Sequence, residues 1–483
     1  MNDSSWYDPV AVIDRSVAAW PLREALRMEG RSYTYSELDR EADSVAAWCD
    51  AALPTACRVA IMGARDMAVY AGIIGVLRSG RSYVPLHPDH PEERWLNSMQ
   101  QAGVLGIIAP GMDLARSQRL GVPVYERTSS SIAKRGSSGE AYVMFTSGST
   151  GGPKGVCVSR ANVAAYLGHA LERWQIRPED RCTQFFNLGF DLSVHDLFVC
   201  WGSGACLCVP GEPHALRLAT YLKEERITVW FSVPSVIGLM QRMRALAPGA
   251  YPLVLKSFFC GEALPWSFVA AWAAAAPNSS ITNLYGPTEA TIAILEHTVR
   301  PPFKGEGTVP LGVPFPGALA RIQGDEDPSV GQLLLGGPQV ADGYVGRPDA
   351  TEAAFSTDPK GVRWYATGDR VRLDADGCFH FLGRMDDQVK VQGHRVEPAE
   401  VDRALDAHLA QGIAVTVAVE GSGGLRLVTF IDVPADTLVL MHALKQQLPP
   451  YMLPETIRVL DRFPLSPNGK VDKRALKELA IHG

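Results

Sequence analysis

Short apolar runs alternate with amphipathic segments along the first part of the chain. Val59–Met62 has the composition of a strand, Met67–Leu77 has the apolar spacing of a helix, and Val104–Ala109 is again strand-like. Strands that alternate with helices pack in layers, with the helices covering mainly parallel sheets. The pattern therefore predicts an α/β fold.

One stretch interrupts this pattern without ending it. Between Thr128 and Glu140 the chain is rich in Ser and Gly and loses its periodicity, and the apolar run Tyr142–Phe145 follows at once. Because the strand pattern resumes, we interpret the stretch as a surface connection inside one large domain.

A second unit begins near Gly383 with the polar stretch GRMDDQVKVQGHRVEP. The remainder is about a hundred residues, the size of a small domain. It is predicted to contain the strands Ile413–Val419 and Leu425–Ile431 and the helices Pro398–Leu409 and Leu438–Gln447. We expect a large domain over residues 1–384, a hinge at residues 385–387 and a small domain over residues 388–483.

Composition excludes several classes of protein. The 483 residues contain 46 Lys and Arg against 52 Asp and Glu, a net charge of −6, so no basic excess favours nucleic acid as a partner. The hydrophobic fraction of 46% excludes a disordered chain. The longest nearly apolar stretch, Ile227–Met240, contains polar residues and is shorter than the ~20 residues that span a bilayer. No membrane partner is expected.

The N-terminus and the cysteines indicate the compartment. The first residues, MNDSSWYDP, lack the basic start and apolar core of a signal peptide. The nine cysteines include no C-x-x-C pair, and Cys206 and Cys208 lie in the strand-like run Ala205–Val209. We expect a cytoplasmic protein whose cysteines are reduced and mostly structural.

The most informative segment is Phe145–Gly155, with the sequence FTSGSTGGPKG. Its glycines let backbone N–H groups approach an anion, its hydroxyls donate hydrogen bonds, and Lys154 adds a positive charge. A flexible polar turn is the alternative for a Gly/Ser segment. A Walker-type P-loop is disfavoured, because Gly155 follows the lysine and the chain continues into the strand-like Val156–Ser159 instead of a helix.

This segment resembles the phosphate-binding signature of the adenylate-forming superfamily, which includes nonribosomal peptide synthetase adenylation domains, acyl-CoA ligases and firefly luciferase. Further matching motifs follow in order along nearly the whole chain. They are YTYSEL at Tyr33–Leu38, LRSGRSYVPLHPDHPEER at Leu77–Arg94, FDLSVHD at Phe190–Asp196, NLYGPTEAT at Asn283–Thr291, YATGDR at Tyr365–Arg370, GRMDDQVKVQGHRVE at Gly383–Glu397, LPPYMLP at Leu448–Pro454 and LSPNGKVDK at Leu465–Lys473.

The resemblance is to a stand-alone amino acid adenylation domain of the nonribosomal peptide synthetase type. It implies an α/β fold with mainly parallel sheets and a small β-barrel-like part, followed by a small mobile α+β C-terminal domain that acts as a lid. It also implies a reaction in which a carboxylate attacks the α-phosphate of ATP, pyrophosphate leaves, and the acyl group passes to a thiol. Because two anions must meet, such a site needs positive charge and orientation.

The resemblance assigns roles to individual residues. Lys470 is the implied catalytic residue of the adenylation step, Glu289 the implied Mg²⁺ ligand, and Asp386 the implied hinge, with Asp387 as the less favoured choice. The implied ATP-binding residues are Thr146, Ser147, Gly148, Ser149, Thr150, Lys154, Gly261, Glu262, Asn283, Tyr285, Gly286, Thr288, Asp369 and Arg384. Taken one at a time, these residues could instead be turn, cap or surface residues.

Some of these roles are specific. Tyr285 would stack on adenine and Asn283 would hydrogen-bond it, while Asp369 would accept hydrogen bonds from both ribose hydroxyls. Arg384 would contact ribose and phosphate. The Lys390–Gly393 face would help to admit a phosphopantetheine arm after the lid rotates.

Asp191 bears on the substrate. In amino-acid-activating relatives an Asp here pairs with the substrate ammonium, and an unpaired charge of this kind costs several kcal/mol when buried. The alternative is an N-cap for the predicted helix Leu192–Phe198. The other implied pocket residues are Leu192, His195, Phe231, Phe258, Cys260, Leu284, Ile292 and Ala293. This mostly apolar set favours a small or compact amino acid, with proline as one choice and Ser, Cys and Ala as competitors.

No carrier motif or condensation-domain signature follows Lys470 before the last residue, Gly483. We therefore expect a separate phosphopantetheine carrier protein to supply the thiol in trans, in natural-product biosynthesis such as that of peptide antibiotics. The enzymatic alternative is an acyl- or aryl-CoA ligase, against which Asp191 argues. A second alternative is a catalytically silent nucleotide-binding module, against which Lys470 and Glu289 argue.

Overall fold

The helices and strands of the chain are given by a computed structural model, which describes residues 4–63, 66–112, 119–127, 139–148, 152–211, 214–324, 327–409, 411–421, 424–465 and 471–482. The helices are α1 Pro9–Ala19, α2 Tyr35–Ala52, α3 Met67–Arg78, α4 Glu92–Ala102, α5 Arg160–Trp174, α6 Leu192–Gly202, α7 His214–Glu224, α8 Ser235–Arg242, α9 Trp266–Ala275, α10 Pro348–Ala354, α11 Pro398–Asp406, α12 Thr437–Gln447 and α13 Lys473–His482. Short 3₁₀ turns are formed by Ser4–Tyr7, Thr288–Ala290 and Pro450–Met452.

The strands follow the same chain order. They are β1 Glu24–Met28, β2 Arg31–Thr34, β3 Arg58–Met62, β4 Ser82–Leu86, β5 Val104–Ile108, β6 Glu140–Thr146, β7 Lys154–Ser159, β8 Arg181–Thr183, β9 Cys206–Val209, β10 Val229–Ser232, β11 Lys256–Phe259, β12 Ser280–Tyr285, β13 Leu295–Val299, β14 Val313–Pro314, β15 Leu319–Gly324, β16 Val330–Gly336, β17 Gly343–Tyr344, β18 Phe355–Thr357, β19 Arg363–Leu373, β20 Phe379–Arg384, β21 Val389–Val391, β22 His394–Val396, β23 Ala414–Gly421, β24 Gly424–Ile431 and β25 Thr456–Val459.

Two large mixed sheets form most of the N-terminal part. One has the strand order β14-β13-β12-β11-β10-β8-β9-β1-β2, and the other has the order β17-β7-β6-β4-β3-β5. The central pairs of both sheets are parallel. The nine-stranded sheet has antiparallel pairs at both ends, whereas the six-stranded sheet has them only at the β17 end, since β3 and β5 are parallel. Every residue of β4, β9 and β10 is buried, as expected for parallel strands covered by helices on both faces. The α/β prediction is confirmed.

Local sequence explains where the helix after the phosphate loop begins. Ser159 caps α5 by accepting a hydrogen bond from the Asn162 backbone N–H, and the Asn162 side chain accepts from the Ser159 N–H in return. The Asn162 amide also donates to the carbonyl oxygens of Pro338 and Val340. This reciprocal capping box fixes the point at which β7 ends and α5 starts.

The part predicted to be β-barrel-like is a five-stranded antiparallel sheet in the described residues. It has the order β15-β16-β19-β18, and β20 also pairs with β19. The long strand β19 pairs through Arg363–Tyr365 with β18 and through Asp369–Leu373 with β20, while β16 lies along its other edge. The strands β18 and β20 therefore pair with different parts of the same edge of β19.

The C-terminal part has its own sheet and apolar core. The strands β23, β24 and β25 form a three-stranded sheet, and β21 pairs with β22 in a separate hairpin. The core between this sheet and α11 and α12 includes Val401, Leu405, Ile431 and Leu444. The predicted elements are present with shifted ends. The helix α11, for example, was predicted to end at Leu409 and ends at Asp406. The Asp406 carboxylate accepts a hydrogen bond from the Ala414 N–H, where β23 begins.

Two predictions from composition are tested by the described residues. All nine cysteines are free, and seven of them, including Cys206 and Cys208, are buried, as expected for reduced structural thiols. Among the described residues no helix combines the length and apolarity needed to cross a membrane.

We expect Gly75→Ala to destabilise the N-terminal part. A Cβ at Gly75 would lie 2.4 Å from the Ala42 carbonyl oxygen and 2.7 Å from Val45 Cβ, so α3 could no longer pack closely on α2. Overpacking of this kind costs about 1–3 kcal/mol, although Gly→Ala in an open helix stabilises by up to about 1 kcal/mol. Urea unfolding of both proteins measures the difference.

The matched control is Gly168→Ala in α5. There the nearest atom to a new Cβ is the side-chain Cδ2 of Tyr7 at 3.3 Å, which can move away. We expect a much smaller loss of stability, and equal losses for the two variants would contradict the packing argument.

Candidate functional site

The candidate site lies at the carboxyl ends of neighbouring parallel strands. The strands β10, β11 and β12 end at Ser232, Phe259 and Tyr285, and the loops that follow carry many of the residues singled out in the sequence. This edge is where open α/β sheets bind their ligands. The hairpin of β21 and β22 from the C-terminal part lies against it.

Tyr285, Asp369 and Arg384 form one hydrogen-bonded group. The Tyr285 hydroxyl donates to Asp369, and Arg384 Nη1 donates to Asp369 Oδ1 at 2.8 Å. Burial, reinforced by the Asp369 charge, raises the pKa of Tyr285 well above its usual value, so the phenol stays a donor. Lys390 Nζ lies 5.9 Å from the Tyr285 ring centre. The structure thus brings together residues that are far apart in the chain and that the resemblance assigns to adenine and ribose.

Asn283 presents a free acceptor beside this group. Its Nδ2 donates to the Pro310 carbonyl oxygen at 2.8 Å, whereas its Oδ1 is buried and has no hydrogen-bond partner among the described residues. An unsatisfied buried acceptor costs about 1–3 kcal/mol. A ligand with an N–H donor, such as the exocyclic amine of adenine, would satisfy it.

The described part of the phosphate loop is covered by the C-terminal part. Ser147 Oγ donates to the Arg395 carbonyl oxygen at 2.7 Å, and Arg403 Nη2 donates to the Gly148 carbonyl oxygen at 3.1 Å. The Thr146 hydroxyl is 3.5 Å from the Lys154 carbonyl oxygen. Burial, and to a lesser extent Arg395, lower the pKa of Lys154 from its usual value. The predicted residues Ser149 and Thr150 lie outside the described residues.

Glu289 is held by the C-terminal part. Its carboxylate is fully buried and accepts from Arg395 Nη1 at 2.9 and 3.0 Å and from the Tyr344 hydroxyl at 2.7 Å. Burial opposes ionisation, but Arg395 and Tyr344 outweigh it and keep the pKa of Glu289 below its usual value. The carboxylate is therefore ionised and compensated by Arg395.

The donor chemistry at Glu289 fits magnesium in one respect. Mg²⁺ is usually held by one or two carboxylates together with phosphate oxygens and water. Here Arg395 contacts both oxygens of the carboxylate. Mg²⁺ and Arg395 would compete for the same carboxylate, so a Mg²⁺ ion would bind Glu289 only after Arg395 moves away.

Gly261 and Glu262 also meet the C-terminal part. Glu262 Oε1 accepts from the Gly393 N–H at 2.7 Å, and the same carboxylate accepts from the Ser235 N–H and hydroxyl. Gly261 lies beside Gly393, and a Cβ added to Gly261 would be 3.9 Å from the Gly393 Cα. These contacts hold the β21–β22 hairpin on the candidate site.

Both candidate hinge residues form ion pairs. Asp386 accepts from Arg384 Nε and Nη2 at 2.8 and 2.6 Å, and Asp387 accepts from Lys473 Nζ at 2.6 Å. The predicted catalytic residue, Lys470, lies outside the described residues.

Asp191 is buried beside a strained piece of backbone. Its Oδ2 accepts from the Ile292 N–H at 3.3 Å, and Thr288 also donates to the carboxylate. Thr291 and Ile292 have φ values of +55° and +73°, which non-glycine residues rarely adopt. Strain of this kind persists where the surroundings enforce it, and here Gln339 Nε2 donates to the Ala293 carbonyl oxygen at 2.7 Å.

The position of Asp191 separates the two interpretations of this residue. It precedes α6, but its side chain makes no capping hydrogen bond, so the N-cap interpretation is not supported. Burial is the main cause that raises the pKa of Asp191 to about 7. No cation of the described residues is within salt-bridge distance of its carboxylate.

The other predicted pocket residues lie together next to Asp191. They are Leu192, His195, Phe231, Phe258, Cys260, Leu284, Ile292 and Ala293, and all are buried. The ring of His195 is 4.3 Å from that of Phe231 and 5.6 Å from that of Phe258. Phe231 and Phe258 are partners in the parallel pair β10–β11, which fixes them side by side.

His195 is a neutral member of this wall. Burial lowers its pKa to about 3, and its Nδ1 is 2.6 Å from the Tyr166 hydroxyl. The structure therefore gives His195 a protein partner, which favours a wall residue over a group that binds the substrate.

Four residues near the site were not assigned in the sequence. Trp174, at the end of α5, lies 4.7 Å from Phe258 and 5.3 Å from His195 between ring centres. Tyr166 and Gln339 hold the pocket wall and the strained segment. None of these three belongs to a motif that would have marked it. Arg395 is part of the quoted GHRVE motif, but only its contact with Glu289 shows its role.

The chain matches the family described as AMP-binding enzyme over residues 13–345. It is 34% identical over 475 residues to the AMB antimetabolite synthetase AmbB of Pseudomonas aeruginosa, a match that covers 94% of this chain and 38% of AmbB. The chain therefore spans well under half the length of this curated relative.

Two solved structures are similar over their whole length. The Vibrio cholerae adenylation domain AlmE, crystallised in complex with glycyl-adenosine-5'-phosphate, has a TM-score of 0.87 at 30% identity, covering 99% of this chain and 98% of AlmE. IdnL7 has a TM-score of 0.73 at 33% identity, covering 99% of this chain and 100% of IdnL7. The resemblance found in the sequence is confirmed. The chain belongs to the AMP-binding enzymes and is an adenylate-forming ligase, built as an adenylation domain related to those that activate amino acids in nonribosomal peptide synthesis.

Proposed function

We propose that this chain activates a small amino acid as its aminoacyl-AMP and then transfers the aminoacyl group to the phosphopantetheine thiol of a separate carrier protein. The observation that carries the proposal is the buried Asp191 carboxylate, which lies next to an aromatic pocket and lacks a cation partner among the described residues. Membership of the AMP-binding family implies ATP as the other substrate.

The environment of Asp191 favours an amino acid over a simple carboxylic acid. Burying a carboxylate without a counter-charge costs several kcal/mol, and the raised pKa of Asp191 reflects that cost. A substrate ammonium placed beside it would offset the cost by supplying the missing charge. An acyl or aryl acid has no ammonium group. The CoA-ligase alternative therefore does not explain why a carboxylate is buried at position 191.

The pocket wall favours a compact side chain. Phe231, Phe258, His195 and Trp174 form a chain of ring contacts between 4.3 and 5.6 Å, so rings already fill the space beside Asp191. Among the predicted pocket residues, only Asp191 and His195 have ionisable acidic or basic side chains, and His195 is neutral. Glycine, alanine, serine, cysteine and proline fit this description, and the glycyl-adenylate bound to AlmE agrees with the small end of the range.

In the adenylation step the protein brings two anions together. Asn283 and Tyr285 would face the adenine and Asp369 the ribose, because Tyr285 at the end of β12 is hydrogen-bonded to Asp369. Thr146 and Lys154, which lie at the junction of β6 and β7 in the other large sheet, would face the phosphates. Lys470 would bridge the substrate carboxylate and the α-phosphate. A magnesium ion held by Glu289 would neutralise charge on the phosphate oxygens.

The contacts of the C-terminal part support its proposed role in the second step. Arg395 occupies the Glu289 carboxylate, and Gly393 is hydrogen-bonded to Glu262. Rotation of the C-terminal part about Asp386 would first break the ion pair between Asp386 and Arg384. It would then move Arg395 out of the site and bring Lys470 in. The same pocket would then serve adenylation in one orientation and thioester formation in the other.

Two neighbouring cavities lie where the C-terminal part meets the candidate site. Both are lined by His87, His90, Asn187, His394 and Tyr451, and one of them also has Asp191 in its lining. The rings of His394 and Tyr451 are stacked at 3.9 Å between centres. A phosphopantetheine arm could reach the aminoacyl group through these cavities, which suits a carrier that docks from outside.

A panel of acids tests the substrate class. The enzyme with ATP and hydroxylamine should release hydroxamate with small amino acids and not with aryl or fatty acids. Activity restricted to acids that lack an α-amine would contradict the proposal.

The panel should be repeated with Phe258→Ala, which widens the pocket and should raise the ratio of kcat/KM for leucine over alanine about tenfold or more.

Phe259→Ala provides the matched control. Phe259 is the next residue of β11 and packs on the opposite face of the sheet, in the core around Trp272. Both variants lose the same buried volume, so melting temperatures should fall in both. Only Phe258→Ala should change the substrate preference, and an equal change in both would count against the pocket assignment.

The titration of Asp191 should appear in the pH dependence of amino acid binding. The free enzyme has an Asp191 pKa of about 7, and only the ionised form attracts the ammonium group. As the pH falls below about 7, the apparent KM for the amino acid should rise about tenfold per pH unit, while it stays level above about 8.

Two measurements check this assignment. The KM for ATP should depend on pH much less, since Thr288 is the one implied ATP-binding residue that contacts Asp191 in the described part of the chain. Asp191→Asn should raise the KM for the amino acid about 100-fold or more and remove its rise between pH 7 and pH 6. A variant that keeps the pH profile would show that another group titrates.

Lys470→Ala separates the two half-reactions. We expect it to lose most acyl-adenylate formation, at least about 100-fold in rate, while ATP binding and thioester formation from preformed aminoacyl-AMP persist. Lys477→Ala, which changes an exposed lysine of α13, is the control and should leave both steps unchanged. Unchanged adenylation by Lys470→Ala would refute the role of this lysine.

A further inference from the structure

Four side chains that bind transition metals lie together outside the adenylation site. Asp374 and Cys378 belong to the turn between β19 and β20, His380 is the second residue of β20, and His297 belongs to β13 of the nine-stranded sheet. The adenylation reaction uses none of them.

Asp374, Cys378 and His380 have the spacing of a metal-ligand group, and His297 approaches this group at Cys378. One ligand atom from each of Asp374, Cys378 and His380 lies within 4.8 Å of the other two. His297 Nδ1 is 3.7 Å from Cys378 Sγ, and His380 Nε2 is 2.7 Å from Asp374 Oδ2. A tetrahedral zinc ion with the usual Zn–S and Zn–N bonds has ligand atoms about 3.4–3.6 Å apart. The sulfur–nitrogen distance already fits, and the oxygen–nitrogen distance would open by less than about 1 Å.

The backbone holds these side chains on one side of the turn. Asp374 Oδ1 accepts from the Cys378 N–H at 2.8 Å, which leaves Oδ2 directed at His380. Cys378 and His380 flank Phe379, which is buried, so the two ligands point away from its face. Phe379 in turn exchanges backbone hydrogen bonds with Gly312 and so joins the turn to the nine-stranded sheet.

Gly312 explains why β13 lies so close to the turn between β19 and β20. A Cβ at this position would lie 1.8 Å from the Glu296 carbonyl oxygen and 2.7 Å from the His297 backbone nitrogen. The chain passes close to β13 because residue 312 has no side chain. This brings His297 within reach of Cys378.

The donor chemistry selects the metal. One thiol, two imidazoles and one carboxylate form a borderline-soft group that suits zinc, whereas magnesium and calcium prefer oxygen ligands. The side chains of Asp374 and His380 are 33% and 28% exposed, so an ion can enter from solvent.

We propose that Asp374, Cys378, His380 and His297 bind one structural zinc ion, which ties the β19–β20 turn to β13. Four protein ligands would fill a tetrahedral shell, as in structural rather than catalytic zinc sites. His297 is the register partner of Asn283, and β20 ends at Arg384. The ion would therefore brace two walls of the nucleotide pocket without touching the nucleotide, and the proposal does not depend on the substrate.

Cobalt titration of the full-length enzyme tests the site directly. After removal of metal with a chelator, Co²⁺ should produce a thiolate-to-cobalt charge-transfer band and the intense visible bands of tetrahedral cobalt, saturating at one equivalent. One equivalent of Zn²⁺ should abolish both. An enzyme that shows no charge-transfer band, or visible bands of octahedral cobalt only, would overturn the proposal.

Variants distinguish this site from binding elsewhere. Cys378→Ser should remove the charge-transfer band, and His297→Gln should weaken cobalt binding at least about tenfold while the protein remains folded by circular dichroism. Cys157→Ser is the matched control, since Cys157 is the other cysteine of the nine that is not fully buried, and it should keep the full spectrum. Loss of the band in Cys157→Ser, or its retention in Cys378→Ser, would overturn the assignment.

Thermal unfolding provides a second measurement besides activity. Zinc should raise the melting temperature of the metal-free enzyme by a few degrees, because it binds the folded state alone. The same addition should leave the melting temperature of Cys378→Ser unchanged. A zinc effect of the same size in both proteins would contradict the proposed ligands.

Discussion

The ion pair between Glu289 and Arg395 is the contact on which the arrangement of the two parts of the chain depends. A fully buried carboxylate is stable only beside a cation or strong donors, and here Arg395 and Tyr344 supply them. Since Arg395 belongs to the C-terminal part, the charge of Glu289 holds that part against the end of the large sheet.

A similar constraint shapes the substrate pocket. Asp191 accepts a hydrogen bond from the N–H of Ile292, a β-branched residue held at positive φ. Gln339 secures that segment through the Ala293 carbonyl oxygen, so a residue 46 positions further along the chain helps to fix the direction of an N–H in the pocket. Burial raises the pKa of Asp191, and under the proposed function a substrate ammonium would supply the missing positive charge.

The sequence predicted element types better than their assembly. The alternation around Val59–Met62 and Met67–Leu77 gave the right elements, because burial on both faces of a parallel sheet imposes continuous apolar runs. The strand pairing inside the barrel-like part was not predicted, because the edge of β19 that each strand occupies depends on where that strand bends. Trp174 was missed because its contact with Phe258 joins segments without a shared motif.

The sequence by itself determined the family and the kinds of group available for catalysis, since the motifs are local and their chemistry depends on residue type. It also supplied the candidate pocket residues, including Phe231 and Phe258 at the ends of two strands. Only the tertiary structure decided that Asp191 lacks a capping bond, that Arg395 meets Glu289, and that His297 approaches Cys378. Such contacts join residues far apart in the chain, and they follow from how sheets and helices pack rather than from any local pattern.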